Sequence, residues 1–201
     1  MSNRKEMLAA AERAILERRP GTLVGMLHVH LRRLRQISIA LDHDIADAVP
    51  AAVEERLRAF LRSADLVARI GEQDFMVVLP NLLSPGHAEL AAQRVLREFE
   101  RPLQVLGRLI EATVALGLAW SPEHAGSADT LARRATAALD AALGAGNRLK
   151  LASGTAEPLL LLDELRGALV NNELGMVFQP IHALQDGRVV AVEALARWYC
   201  P

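Results

Sequence analysis

The sequence predicts an α+β fold, a mostly antiparallel sheet with helices laid over it, and three observations point there. Segments with apolar residues at helical spacing interleave with short apolar runs, in the order helix, strand, helix, helix, strand, strand, helix, strand, helix, strand. The run "RIGEQDFMVVLP" (69–80) sets a tight polar turn between two apolar runs, the signature of a hairpin. Pro20-Gly21, Ser84-Pro85 and the "GAGN" stretch at 144–147 punctuate the rest as helix stops and starts.

The elements follow in order. Met7, Leu8, Ala11 and Ile15 share a helix face, and Pro20-Gly21 ends that helix. "TLVGMLHVH" (22–30) reads as a buried strand, followed by a helix with Leu31, Leu34 and Ile37 on one face. Proline is tolerated best in a first turn, so the third helix is expected to begin at Pro50, with Val53, Leu57, Phe60 and Leu61 inward. Strands at 66–70 and 74–79 form the hairpin, with Gly71 supplying a positive φ at its tip. Ser84 is placed to cap a helix running towards Phe99. Strands at 103–106 and 109–119, a helix from Ser127 and a short strand at 148–151 complete the set. Residues 153–158 have linker composition. Beyond them come a helix through Leu162, Leu165 and Leu169, a strand at 176–181, an Asp186-Gly187 turn and a strand at 188–195.

Composition narrows the function class. Apolar residues make up 51% but aromatics only 3%, so the core must be built from Leu, Val, Ile and Ala. A net charge of −1 gives no general attraction for nucleic acid or an anionic membrane. The one cysteine, Cys200, excludes an internal disulfide and a multi-cysteine zinc site and suits a reducing compartment. No apolar run reaches the roughly 18 residues of a membrane span, and the charged amphipathic N-terminus is no signal peptide. A cytoplasmic location is expected.

The element order, the "RIGEQDF" loop, Asn3-Arg4, the "LDH" at 41–43, Asp47 and Gly146-Asn147 together resemble the GGDEF domain, the diguanylate cyclase module that joins two GTP molecules into cyclic di-GMP. The resemblance covers residues 1–152 and implies a nucleotide-cyclase-like, ferredoxin-like palm. The tail, with "FQPI" (178–181) and "EALARWYCP" (193–201), resembles the N-terminal start of an EAL domain, the cyclic di-GMP phosphodiesterase. Residues 159–201 are accordingly expected to be a fragment, since a closed barrel of that type takes about 250 residues.

Carried over residue by residue, the resemblance implies that the cyclase site is degenerate. Phosphoryl transfer needs a divalent metal held by carboxylates. The strand-end pattern here is "HLRRLRQIS", which puts His30 and Arg32 where the family has aspartates. Magnesium takes hard oxygen ligands, so imidazole and guanidinium replace them poorly. In the loop Gly71, Glu72, Gln73, Asp74, Phe75, the third position is the neutral Gln73, and Glu72 replaces a glycine where a carboxylate would repel a triphosphate. Ala142 and Gly146 stand where the family carries phosphate-binding Lys and Arg; Asp47 is kept for guanine, but Ser38 replaces an Asn. Losing one such electrostatic group costs on the order of 10²–10³ in rate. No catalytic set is intact, and no diguanylate cyclase activity is expected of this chain.

His28 and His30 point to one side of their strand, a spacing that serves zinc if His43 is a third ligand; polar replacement of an abandoned site is the other reading. "RRLR" (32–35) reads as a solvated helix face, with phosphate contact as the alternative.

One family feature is intact. "RSAD" supplies Arg62 and Asp65 five residues ahead of the loop, the pattern of the product-inhibition site, with Arg94 or Arg97 as the further arginine. Arginine grips phosphate or stacks on guanine, and a carboxylate accepts guanine N–H groups. Asp65 as a simple turn cap is the alternative. In the tail, Glu193 matches the first EAL metal ligand, and Gln179, Leu195 and Arg197 match ligand contacts. A complete EAL domain would use Mg²⁺ or Mn²⁺, whereas this chain requires no cofactor. The expected role is a catalytically inactive regulatory domain that binds cyclic di-GMP and allows a homodimer. The rivals are a ligand-free dimerisation or interaction module and a GTP-sensing domain.

Overall fold

The structure of the protein, a computed structural model, describes residues 2–40, 43–152, 169 and 173–198. The linker at 153–158, the helix through Leu162 and Leu165, Leu41-Asp42 and Cys200 lie outside the described residues. The chain divides into two compact units, Met1–Gly154 and Thr155–Pro201.

In the first unit, α1 (Ser2–Leu16) leads through a turn with Gly21 at φ 76° into β1 (Leu23–Arg32). β1 is longer than expected. It is paired along its length by β3 (Asp74–Leu82) and β6 (Thr113–Ser121), which keeps Leu31 and Arg32 in the sheet and out of the following helix. Arg33 turns the chain at φ 62°, and α2 (Leu34–Ala40) starts only then, so "RRLR" spans a strand end, a turn and a first helical turn.

The third helix, α3 (His43–Phe60), begins before the expected start and holds Pro50 in its interior. An interior proline costs about 3 kcal/mol. Ile45, Val49, Val53 and Leu57 are buried from the same helix, and each contributes roughly 1.5–3 kcal/mol, so packing offsets the lost backbone bond.

β2 (Leu66–Arg69) and β3 form the expected hairpin. β3 runs past Pro80 to Leu82 because its pairing with β2 ends at Val78, and the β1 ladder shifts register beside Asn81, which has φ 52°. A proline without an N–H fits at such a bulge.

α4 (Pro85–Glu98) has Ser84 as its N-cap, but the hydroxyl pairs with His87 Nδ1 at 2.8 Å and takes no backbone N–H. The strand expected at 109–119 is two: β5 (Arg108–Ile110) closes a hairpin with β4 (Leu103–Val105) through Leu106 and Gly107, both at positive φ, and β6 follows. α5 (Ala128–Gly144) is capped by Ser127 and ends with Gly146 at φ 71°, where Asn147 N–H bonds Ala142 O at 2.8 Å. The "GAGN" stretch is thus a helix C-terminus that uses glycine's left-handed freedom. β7 (Leu149–Leu151) runs parallel to β6.

The sheet order is β2-β3-β1-β6-β7, antiparallel except at β6-β7. One face packs Val49, Val53 and Leu57 of α3 and Ala88, Ala92 and Val95 of α4 against Leu27, Val29, Phe75 and Val77. The other packs Met7 and Ala11 of α1 and Leu131, Ala132 and Ala135 of α5 against Val24, Met26 and Met76. α5 lies hard against β6: a Cβ built on Gly117 would fall 2.0 Å from Ala135 O.

In the second unit β8 (Leu174–His182) and β9 (Val189–Trp198) pair antiparallel, joined by a turn in which Gly187 has φ 71° and Asp186 Oδ1 accepts Arg188 N–H at 3.1 Å. Among the described residues no helix is long and apolar enough to cross a membrane.

Candidate functional site

Strand alternation puts His28 and His30 on the α5 side of β1, and the β1–β3 register puts Asp74 directly across from His30. Asp74 Oδ1 accepts from His30 Nδ1 at 2.8 Å and lies 3.2 Å from His28 Nε2. His28 Nδ1 lies 2.9 Å from the hydroxyl of Thr136 on α5, which itself donates to Ala132 O at 2.9 Å. The hydrogen bonds from His28 first, then His30, hold the Asp74 carboxyl well below the usual carboxylate range, against the opposing effect of burial. Asp74 is therefore the residue that organises this end of the sheet. Sequence reading joined the two histidines but gave Asp74 no role; the signal was its position at the start of a strand facing "HVH".

The histidines do not form the zinc site weighed above. His43 opens α3, which packs on the opposite face of the sheet, and among the described residues no group of three His, Cys, Asp or Glu side chains can hold a metal ion. Magnesium, which takes hard oxygen ligands, is suited no better: the His30 imidazole is engaged with Asp74, and Gln73 brings no charge.

The loop between β2 and β3 is tied down from within. Arg69 donates to Gly71 O at 2.9 Å and Glu72 O at 3.1 Å, Gly71 N–H bonds Asp74 O at 3.1 Å, and Leu31 N–H bonds Gln73 O at 2.8 Å. Gly71 does not take the positive φ expected of it. A Cβ there would meet Asp74 Oδ2 at 3.2 Å and Asp74 Cβ at 3.3 Å, a tight fit that a shift of a few tenths of an ångström would relieve. Phe75 is fully buried in the core. Glu72 and Gln73 share a cavity of about 310 Å³ with Arg35, Ser38 and Asp47, so the expected guanine-side residues do meet the loop. Ala142 is buried, and Gly146 lies in the helix cap, so neither offers a group to phosphate.

Arg62 and Asp65 form a closed unit at the end of α3. Arg62 Nη2 is 2.6 Å from Asp65 Oδ1, Arg62 Nε is 3.1 Å from both carboxylate oxygens, and Asp65 Oδ2 accepts the Arg62 backbone N–H at 2.9 Å. The Asp65 side chain is 2% exposed and that of Arg62 51%. The turn-cap reading of Asp65 is realised, and the arginine remains open to solvent. Arg62 opens into a cleft of about 410 Å³ floored by Phe60, Leu79 and Leu82, whose α4 wall carries Arg94, Arg97 and His87. Both candidate arginines thus join Arg62; His87, about two turns before Arg94 on α4, is the residue that sequence reading missed.

In the second unit Gln179 and Glu193 are direct cross-strand partners, and Leu195 and Arg197 follow Glu193 on the same face. Met176, Phe178 and Val192 are exposed on the other face.

Comparison with known proteins agrees with this fold. Residues 1–148 match the family described as "Diguanylate cyclase, GGDEF domain". The chain is 32% identical over 188 residues to the cyclic di-GMP phosphodiesterase NbdA of Pseudomonas aeruginosa, covering 90% of this chain and 24% of that protein. It spans about a quarter of the length of this curated relative. Among solved structures, the GGDEF domain of YfiN (TpbB) from Pseudomonas aeruginosa superposes with a TM-score of 0.73 at 27% identity, over 80% of this chain and 94% of that one. An EAL/GGDEF domain protein from M. capsulatus gives 0.63 at 28% identity, over 75% and 99%.

Proposed function

The chain belongs to the GGDEF family of diguanylate cyclase domains, and from that premise we propose that it serves cyclic di-GMP signalling as a catalytically inactive, ligand-binding regulatory domain. The observation that carries this reading is the Arg62–Arg94–Arg97 cleft, which keeps guanidinium groups beside an apolar floor. The guanidinium groups suit the two phosphodiesters of cyclic di-GMP, and Leu79, Leu82 and Phe60 suit a stacked purine. Asp65 acts in this reading by holding Arg62 in place. At the loop, Glu72 and Asp47 share their cavity with the single cation Arg35, so the lining carries a net negative charge that disfavours a triphosphate.

The tail supports an adjoining EAL domain, because Gln179, Glu193, Leu195 and Arg197 lie on one face of a hairpin. Glu193 would be its metal ligand for Mg²⁺ or Mn²⁺ once the rest of such a domain is present.

Calorimetric titration of this chain with cyclic di-GMP and GTP in parallel tests the reading. Micromolar-range binding of cyclic di-GMP and none of GTP is expected. One observation favours a second reading: the Asp65 carboxylate is fully engaged by Arg62 and buried, as a purely structural pair would be. A flat titration at high micromolar ligand would hand the case to that ligand-free interaction module.

A further inference from the structure

We propose that His87 is a proton-dependent cation of the Arg62 cleft, so that the cleft binds a dianionic ligand more tightly as the pH falls below neutral. This rests on the reading of the cleft as a cyclic di-GMP site. The charged groups that face the cleft are few. The α3–β2 turn contributes Arg62 and Asp65, which neutralise each other; α4 contributes Arg94 and Arg97; β3 contributes the apolar Leu79 and Leu82. That leaves two net positive charges, and a protonated His87 makes three.

The partner of His87 allows it to change charge in place. Its Nδ1 lies 2.8 Å from Ser84 Oγ, and a hydroxyl both donates and accepts. With a neutral ring the serine proton points at Nδ1. With a charged ring Nδ1–H points at the serine oxygen. Either way the contact persists and Nε2–H stays available to a ligand. His124 makes the contrast: its Nδ1 accepts the Trp120 backbone N–H at 3.1 Å, which a ring proton would displace.

A bound dianion beside the ring favours its charged form, so binding takes up a proton. Phosphodiesters stay ionised throughout the range, so the pH dependence belongs to the protein.

The experiment is calorimetry of this chain with cyclic di-GMP at pH 8 and pH 5.5, repeated near pH 6.5 in buffers of different ionisation enthalpy. For an exposed ion pair the expected gain is about two- to fivefold in affinity at the lower pH, with measurable proton uptake. His87→Gln should abolish both the gain and the uptake, and His43→Gln, at the start of α3 and outside the cleft lining, should keep them. Binding that is equal at the two pH values, or a gain that survives in His87→Gln, overturns this inference and leaves the cleft assignment standing. Absence of binding at both pH values overturns the two together.

Discussion

Replacing Gly117 by alanine tests the packing that positions the loop site. Gly117 lies on β6 across from His28 and under α5, and an added Cβ would sit 2.0 Å from Ala135 O, 2.3 Å from Leu139 N and 2.9 Å from Leu139 Cα. All three are backbone atoms and none can rotate away. To reach an ordinary contact of 3.4 Å, the helix must recede by about 1.4 Å (3.4 − 2.0) along the closest contact. A gap of 0.5–1 Å already forfeits roughly a quarter to a half of the dispersion attraction. The contacts affected are those of Leu131, Ala132, Ala135, Ala138 and Leu139 beneath α5. Overpacking typically costs about 1–3 kcal/mol, and rigid neighbours place this case at or above the upper end. For a domain of this size that lowers Tm by roughly 6–12 °C. Circular dichroism melts measure it, with Gly144→Ala as the control. Gly144 ends the same helix, has nothing within 4 Å of its would-be Cβ, and should gain up to about 1 kcal/mol. Because Thr136 rides on α5, the His28 imidazole signals in an NMR spectrum should shift as well. A Gly117→Ala variant that melts within about 2 °C of the wild type would refute the backbone-contact argument.

Four further outcomes are expected. With GTP and Mg²⁺ or Mn²⁺ the chain should make no cyclic di-GMP; product above a no-enzyme control, abolished by changes in residues 71–75, would show that Asp74 and the loop still act. Arg62→Ala and Arg94→Ala should each weaken cyclic di-GMP binding by about one to two orders of magnitude, the equivalent of roughly 1.5–3 kcal/mol per charge-assisted contact. Asp65→Ala should lower Tm too, since it frees a guanidinium and a backbone N–H from a buried carboxylate. Stability should also fall with acid in two windows. Burial foremost, partly opposed by Glu123, holds the His124 imidazole below its ordinary value near 6.5. The unfolded chain therefore binds that proton first, and stability present above pH 6.5 declines as the pH drops through the folded value. The Asp74 carboxyl is likewise depressed, so its contribution holds above its ordinary 3.8 and is lost below it. Urea midpoints from pH 8 to pH 3 measure both, and a flat profile in wild-type protein would contradict the assigned contacts.

Much of the fold was legible because it is set by neighbours in the chain. Helical spacing in α1, the Ser127 start of α5, the 66–79 hairpin and the Asp186-Gly187 turn are local choices of caps, periodicity and left-handed glycines. That Gln73, Ala142 and Gly146 carry no charge needs only their identities. Local preference failed wherever a distant partner outweighed it. Leu31 stays in a strand because two neighbours pair with β1, and Pro50 stays in a helix because its flanks are buried. Single-residue propensities other than proline's are worth about 1 kcal/mol or less, so one buried aliphatic side chain outweighs them, and proline's roughly 3 kcal/mol is offset by the several side chains α3 buries. The candidate sites show the same division. "RSAD" and "HVH" can be read from the sequence, but the pairing of His28 with Thr136, its engagement with Asp74, and the meeting of His87 with Arg62 join residues far apart in the chain. Sequence by itself determined which chemical groups are available. Only the packing of α5 on β6 and of α4 across β3 decided which of them stand within reach of one another, because those distances follow from side-chain volumes summed over the core.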